Sequence, residues 1–354
     1  MPKQYDIIII GAGVVGAMTA RFLARYDLDI LWIEKDADVC TGATAANSAL
    51  IHGGYDAVPG SLKAEMNVKG NAMWTQLSEE LDFDFARIGT YVVAIGEEEL
   101  PALEELKTRG DASGVPVEII SGEEMKRREP HIHPDVSGAL VCPSGGICDP
   151  WGATIAAAEN AVTNGVELKL NTKFEDFLWE DAAKKQRIVG IKTNRGDFHG
   201  RWVVNAAGLY ADMVMHQAGI RPEFNITARR GEYYVMDRNQ VQINNVLFPV
   251  PTKVSKGILV TNTLHGNVLV GPNAEEIEDK TNVDVTPDGM KEIWSGAQKL
   301  VPSLSQRDVI AVFAGLRPGG NAPCQGCEIE YNKDFIIEIP DKVEGLVNLG
   351  GIES

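Results

Sequence analysis

Cysteine is scarce, with five residues (Cys40, Cys142, Cys148, Cys324, Cys327) among 354. An odd and sparse set makes no disulfide framework for a chain of this length, and it points to a reducing, cytoplasmic setting. Cys324 and Cys327 have C-x-x-C spacing, yet no second pair lies at zinc-ribbon distance. They read as a plain loop, with metal or redox chemistry as the alternative, and no metal site is expected. Positive charge is also short: 33 Lys and Arg stand against 50 Asp and Glu, for a formal charge of −17. That balance argues against a nucleic-acid backbone as the main partner and against adsorption to anionic lipid, while leaving room for a local basic funnel. No apolar run approaches the roughly 18 to 20 residues of a membrane span, so no transmembrane segment is expected. The opening MPKQYDIIIIGAG lacks a signal-peptide layout, so the fold is expected to start almost at residue 1. The expected location is the cytoplasm, with a peripheral place at the inner face of the membrane as the second option. Repeats and low-complexity segments are absent as well.

What is present is ordinary globular composition, 44% apolar and 23% charged, in a chain long enough for two domains. The strongest local signal lies near the start. Tyr5-Asp6-Ile7-Ile8-Ile9-Ile10 is a β-branched run suited to a strand buried on both faces. Gly11-Ala12-Gly13-Val14-Val15-Gly16 follows, then a helical stretch, then Ile30-Leu31-Trp32-Ile33 ending at Glu34. Strand, glycine turn, helix and strand, with an acid about 20 residues beyond the first glycine, form a dinucleotide-binding pattern. Gly11 permits the tight turn, Gly13 lets the backbone approach a pyrophosphate, and Gly16 lets the helix sit close to its strand. The helix N-terminus offers N–H donors to phosphate, and Glu34 can accept from a ribose diol.

Further along, 60–82 and 97–112 read as helices and Tyr91–Ile95 as a strand. A helix through Ala156–Ala158 and a strand at Val166–Leu170 form another unit, and Ile188–Ile191 and Trp202–Asn205 resemble a small meander returning to the main sheet. From 232 to 271 short strands alternate with turns: Tyr233–Met236, Ile258–Thr261 and Val268–Val270, with His265-Gly266-Asn267 as a hairpin turn. An antiparallel second domain inserted among pieces of the first is the expected arrangement.

The N-terminal fingerprint, together with Asn205-Ala206-Ala207-Gly208-Leu209-Tyr210-Ala211-Asp212, resembles the glycine oxidase and D-amino-acid oxidase superfamily of FAD enzymes. Within it, Asn47–Asp56, Thr252–Val260, His265–Pro272 and Ala314-Gly315-Leu316-Arg317-Pro318 are similar to segments of the glycerol-3-phosphate dehydrogenase and oxidase branch. The resemblance spans essentially the whole chain. It implies an α/β fold (α+β overall), with a Rossmann-like βαβ FAD-binding domain and an inserted antiparallel-sheet substrate domain. The FAD-binding domain is expected from residues 1–85, 145–225 and 328–354, and the substrate-binding domain from 86–144 and 226–327. In the family the run Leu349–Ser354 continues into a further glycine turn and a helix facing the flavin's pyrimidine end, which lies beyond this sequence; longer relatives add an iron–sulfur module.

The resemblance also implies roles. FAD is expected to be held non-covalently by Gly11, Gly13 and Gly16 in the first turn, Glu34 and Lys35 after the second strand, and Thr44, Asn47 and Ser48 in the following loop. Val166 is expected near the adenine. Ala206, Ala207 and Gly208 lie along the dinucleotide, and Gly315, Arg317 and Gly351 complete the set. The reaction is expected to be oxidation of sn-glycerol 3-phosphate to dihydroxyacetone phosphate by hydride transfer to flavin N5. Oxygen, a quinone or a partner protein would each serve as electron acceptor. A base must take the hydroxyl proton, histidine suits that task near neutral pH, and His52 occupies the matching position. Arg317 offers a planar fork and Lys256 a point charge for the substrate anion, with Ser48 and Ser354 as further substrate contacts. Arg229 and Arg230 read as a solvated pair, or as part of an anion funnel. Two rivals are an L-2-hydroxyglutarate dehydrogenase or oxidase and a flavin-binding subunit of a larger electron-transfer complex.

Overall fold

The run of isoleucines after Tyr5 forms strand β1 (Gln4–Ile10), in which Ile8 and Ile9 are fully buried, one on each face of a sheet. Helix α1 (Val14–Leu23) follows the glycine turn, and β2 (Ile30–Ile33) returns parallel to β1, pairing Ile7 with Ile30 and Ile10 with Ile33. In this computed structural model the described residues are 3–181, 186–220, 223–239, 241–251, 257–324, 326–328 and 333–353.

Five parallel strands make the centre of the first sheet, in the order Glu167–Lys169, β2, β1, Gly196–Asn205 and Leu346–Gly350. The meander Phe174–Asp181, Gln186–Thr193 extends the sheet antiparallel from the N-terminal half of Gly196–Asn205; the sequence marks Ile188–Ile191 and Trp202–Asn205 in it but not Phe174–Asp181. On one face Ile9 and Trp32 pack with the alanines of α1 and of helix Pro150–Thr163. On the other, Ile8, Leu31 and Val203 pack with Phe177, Met215 and Phe224. Helix α2 (Leu62–Leu81) starts at Ser61, whose Oγ accepts from Ala64 N at 3.0 Å, and stops at Asp82 in the left-handed region.

The second sheet takes its strands from Thr90–Ile95, Glu118–Ser121 and Val136–Cys142 and from the run between Ile226 and Gly320. It is antiparallel except where those two stretches of chain meet, at a parallel pair between Val246–Pro249 and Thr90–Ile95. Ile226–Met236 and Val309–Gly320 pair along their full length and form its longest ladder. His265 sits in the turn between Leu259–Asn262 and Val268–Gly271, where Thr263 N donates to Asn267 O at 2.8 Å.

Two expectations need correction. Cys324 and Cys327 are disulfide-bonded rather than part of a plain loop. Gly326, next to Cys327, lies so close to Gly60 that neither glycine has room for a Cβ. The count of cysteines carries no trace of that packing; Cys40, Cys142 and Cys148 are buried thiols. Arg229 and Arg230 are not a solvated pair, because the strand starts at Ile226 and encloses both, with side chains 17% and 6% exposed. Among the described residues no helix is long and apolar enough to cross a membrane.

Candidate active site

The carboxyl ends of β1, β2 and Gly196–Asn205 meet at the glycine turn. Gly11 takes φ +100°, and a Cβ there would lie 2.6 Å from Ala206 O, so the first turn and the Ala206–Gly208 turn are in backbone contact. A Cβ on Gly16 would overlap the Gly11 carbonyl, which fixes α1 against its strand. The helical ladder of α1 begins with Ala17 N donating to Gly13 O at 2.9 Å, and Gly13 supplies no side-chain cap. The N–H groups ahead of Ala17 therefore lie outside the helical ladder. One of them, Val14 N, donates to Thr44 Oγ1 at 3.1 Å. Glu34 is buried; its Oε2 accepts from Ala12 N at 2.7 Å and its Oε1 from Asp36 N at 3.0 Å. A helix N-terminus reached across bare glycine backbone, beside a buried carboxylate, fits the diphosphate and ribose of a dinucleotide.

The loop after β2 runs across this cradle and meets the second sheet. Asn47 holds the loop's shape: its Nδ2 donates to Thr44 O at 2.8 Å and its Oδ1 accepts from Ala49 N at 2.7 Å. A Cβ on Gly315 would overlap the Ala46 carbonyl, so strand Val309–Gly320 presses directly on the loop. Ser48 Oγ lies 3.0 Å from Tyr233 OH, and the Tyr233 ring stacks on Phe313 with centroids 4.6 Å apart. Burial pushes the Tyr233 hydroxyl up from its ordinary value, so it stays neutral.

Alternation along the paired strands puts Arg229 and Arg317 on the face that carries Tyr233, Phe313 and Gly315. Arg317 Nη2 makes a long contact of 3.4 Å with Asn273 O, and Arg317 Nε is buried without a hydrogen-bond partner among the described residues. Beside this face lies Glu353, reached from the end of Leu346–Gly350 through Gly351 at φ +65°. Its Oε1 pairs with Lys63 Nζ at 3.2 Å and its Oε2 faces Arg229 Nη1 at 3.6 Å. Burial acts to raise the Glu353 carboxyl, but the charges of Lys63, Arg229 and Arg317 outweigh it and hold the group below the usual carboxylate range.

His52 stands at the far end of the same loop, its ring centroid 6.3 Å from that of Phe248 and its carbonyl accepting from Asn71 Nδ2 at 2.9 Å. Lys256 and Ser354 lie outside the described residues. Val166 is buried among the apolar residues behind the parallel sheet, next to the edge strand Glu167–Lys169. Lys35 pairs with Asp36 at 2.8 Å. Burial pushes the Cys40 thiol up to about 11, which keeps it protonated at neutral pH. Sequence reasoning passed over Tyr233, Lys63 and Glu353. The alternation Arg229, Gly231, Tyr233 marks the first; the Lys63–Glu353 pair joins residues too far apart in the chain to leave a signal.

Residues 6–354 match the model of the family described as FAD dependent oxidoreductase. The chain is 41% identical to a glycerol 3-phosphate dehydrogenase of Caloramator mitchellensis, over 99% of its own length and 70% of that protein. It superposes on the structure of L-alpha-glycerophosphate oxidase of Mycoplasma pneumoniae with FAD bound at a TM-score of 0.89 and 31% identity, covering 99% of this chain and 90% of that one. Similarity to an L-2-hydroxyglutarate dehydrogenase of Escherichia coli is 31% and spans 77% of this chain and 64% of that protein.

Proposed function

The chain belongs to the FAD dependent oxidoreductase family, and on that premise we propose that it oxidises sn-glycerol 3-phosphate to dihydroxyacetone phosphate. The arrangement of the glycine turns and Glu34 supports FAD diphosphate on the first turn of α1 and its ribose on Glu34. The segments Thr44–Ser48 and Ala206–Gly208 would flank the rest of the cofactor. When bound, FAD supplies the two-electron sink for the hydrogen that leaves the carbinol carbon as hydride.

The remaining work falls to this chain's own side chains. His52 takes the proton of the secondary hydroxyl, a role to which imidazole is suited as a residue type. Arg317 binds the phosphate through its planar fork, with Lys256 as the second cation. The contact between Gly315 and Ala46 closes the loop against the substrate sheet. We assign residues 1–85, 145–225 and 328–354 to the FAD-binding domain, and 86–144 and 226–327 to the substrate-binding domain.

The observation that carries the reading is the state of Arg317. Arg317 is half-buried, and its Nε has no hydrogen-bond partner among the described residues, which costs free energy unless an anion completes it. Replacing it tests the reading. Arg317→Ala is expected to raise the KM for glycerol 3-phosphate by at least about 30-fold, corresponding to the roughly 2 kcal/mol lost with a buried charge partner. Oxidation of neutral glycerol should change little. Equal losses on both substrates, or better turnover of L-2-hydroxyglutarate by the parent enzyme, would contradict it.

A further inference from the structure

His52 stands where strand pairing stops. Leu50–Ile51 pairs antiparallel with Gly146–Cys148, which pairs in turn with Phe85–Ala86, and the first ladder ends at Ile51 opposite Gly146. His52, Arg87 and Ser144 therefore lie just beyond the same end of this small sheet. Two glycines follow His52, and Gly54 takes φ +96°, so the backbone preferences of the loop do little to fix it. Packing holds one of them: a Cβ on Gly53 would lie 2.2 Å from Cys142 Sγ.

Hydrogen bonds from Asn71, in the middle of α2, hold the rest. Asn71 is buried, and its Nδ2 donates to His52 O at 2.9 Å and to Ser144 O at 2.8 Å. Its Oδ1 accepts from Arg87 Nη1 at 2.9 Å, and its main-chain carbonyl accepts from Arg87 Nη2 at 2.8 Å. Arg87 Nη1 also donates to Ser144 O at 2.6 Å, and Arg87 Nε donates to Thr75 Oγ1 at 3.0 Å. A guanidinium only donates and a carbonyl only accepts, so the Asn71 amide has a single orientation. An aspartate of the same size could bond Arg87 but neither carbonyl. Asparagine is a weak helix former and its amide is costly to bury, so its place inside α2 answers to the loop rather than to the helix.

We propose that Asn71 is a positioning residue for proton transfer. With Arg87 fixing its amide, it anchors the main chain at His52 and thereby sets where the imidazole stands against the substrate hydroxyl. The inference rests on the reading of His52 as the base.

The test is anaerobic stopped-flow reduction of the FAD-loaded enzyme by sn-glycerol 3-phosphate. Asn71→Ala is expected to lower the limiting rate of flavin reduction about tenfold, the effect of a small misplacement of a reacting group. The half-saturating substrate concentration should stay within about threefold of the parent, with FAD content unchanged. Asn71→Asp, which keeps the size and the Arg87 partner but loses both donors, should be at least as slow. In a His52→Gln background, Asn71→Ala should slow reduction by less than about twofold more, because no base is left to position. A purely structural Asn71 would slow both backgrounds by the same factor, or would be rescued by Asn71→Asp. Either result, or a parental rate in Asn71→Ala, overturns the proposal. If Asn71→Ala yields no folded enzyme, Arg87→Ala decides, with an expected slowing of about threefold confined to enzyme that retains His52. A parental rate in His52→Gln removes the base reading and this inference with it. A slow His52→Gln beside a parental-rate Asn71→Ala overturns this inference alone.

Discussion

Ser48 Oγ and Tyr233 OH lie 3.0 Å apart, and that bond ties the loop running over the dinucleotide cradle to the strand pair that carries Arg317. Tyr233→Phe keeps the stack on Phe313 and removes only this bond. It is expected to cost about 1 kcal/mol of stability and to raise the substrate KM several-fold with the FAD content unchanged. Thermal unfolding and steady-state kinetics check both. Unaltered KM would place the bond outside substrate positioning.

Gly315 and Gly70 make a matched pair of glycine tests. A Cβ at Gly315 has no room beside the Ala46 carbonyl, so Gly315→Ala should separate loop from sheet, costing about 1 to 3 kcal/mol and lowering FAD retention. Gly70 lies inside α2 with open space around it, and Gly70→Ala should stabilise by roughly 0.5 to 1 kcal/mol. Melting temperatures of the two variants should move in opposite directions, and the flavin-to-protein absorbance ratio should fall in Gly315→Ala alone.

His52→Gln should slow anaerobic flavin bleaching by glycerol 3-phosphate about 10²- to 10⁴-fold, while the protein retains its FAD. Stopped-flow absorbance reads the rate directly. A rate within threefold of the parent would remove His52 from proton transfer.

Glu129 gives a pH signature away from the site. Burial pushes its carboxyl up to about 7 against the lowering effect of the backbone N–H groups of Asn244 and Asn245. An acid whose pKa is raised by folding binds its proton more tightly in the native state. Its contribution to stability therefore falls as pH rises from about 4.5 to 7 and is constant above that window. The loss is up to about 3 kcal/mol. Glu129→Gln should abolish this slope, so its melting temperature relative to the parent should climb between pH 5 and pH 8. A difference independent of pH would contradict the assignment.

Sequence made the dinucleotide half legible because its chemistry is local. Ile7–Ile10, the three glycines and Glu34 lie on consecutive elements, and their spacing alone sets the cradle. The substrate side was legible only as separate segments. Arg317 stands out in the segment Ala314–Pro318, which the structure makes part of a strand rather than a turn, and its environment depends on Arg229, Lys63 and Glu353, which three distant segments bring together. The burial of Arg229 and Arg230 escaped notice because the strand begins several residues before its apolar run. The Cys324–Cys327 bond escaped because C-x-x-C spacing is shared by loops, metal sites and disulfides and does not choose among them.

The most direct measurement is the anaerobic absorbance spectrum of the FAD-loaded protein before and after addition of sn-glycerol 3-phosphate. The account predicts loss of the oxidised flavin band with stoichiometric formation of dihydroxyacetone phosphate, and no bleaching by glycerol at the same concentration. A bound flavin that stays oxidised with glycerol 3-phosphate, or that bleaches with L-2-hydroxyglutarate instead, would contradict it.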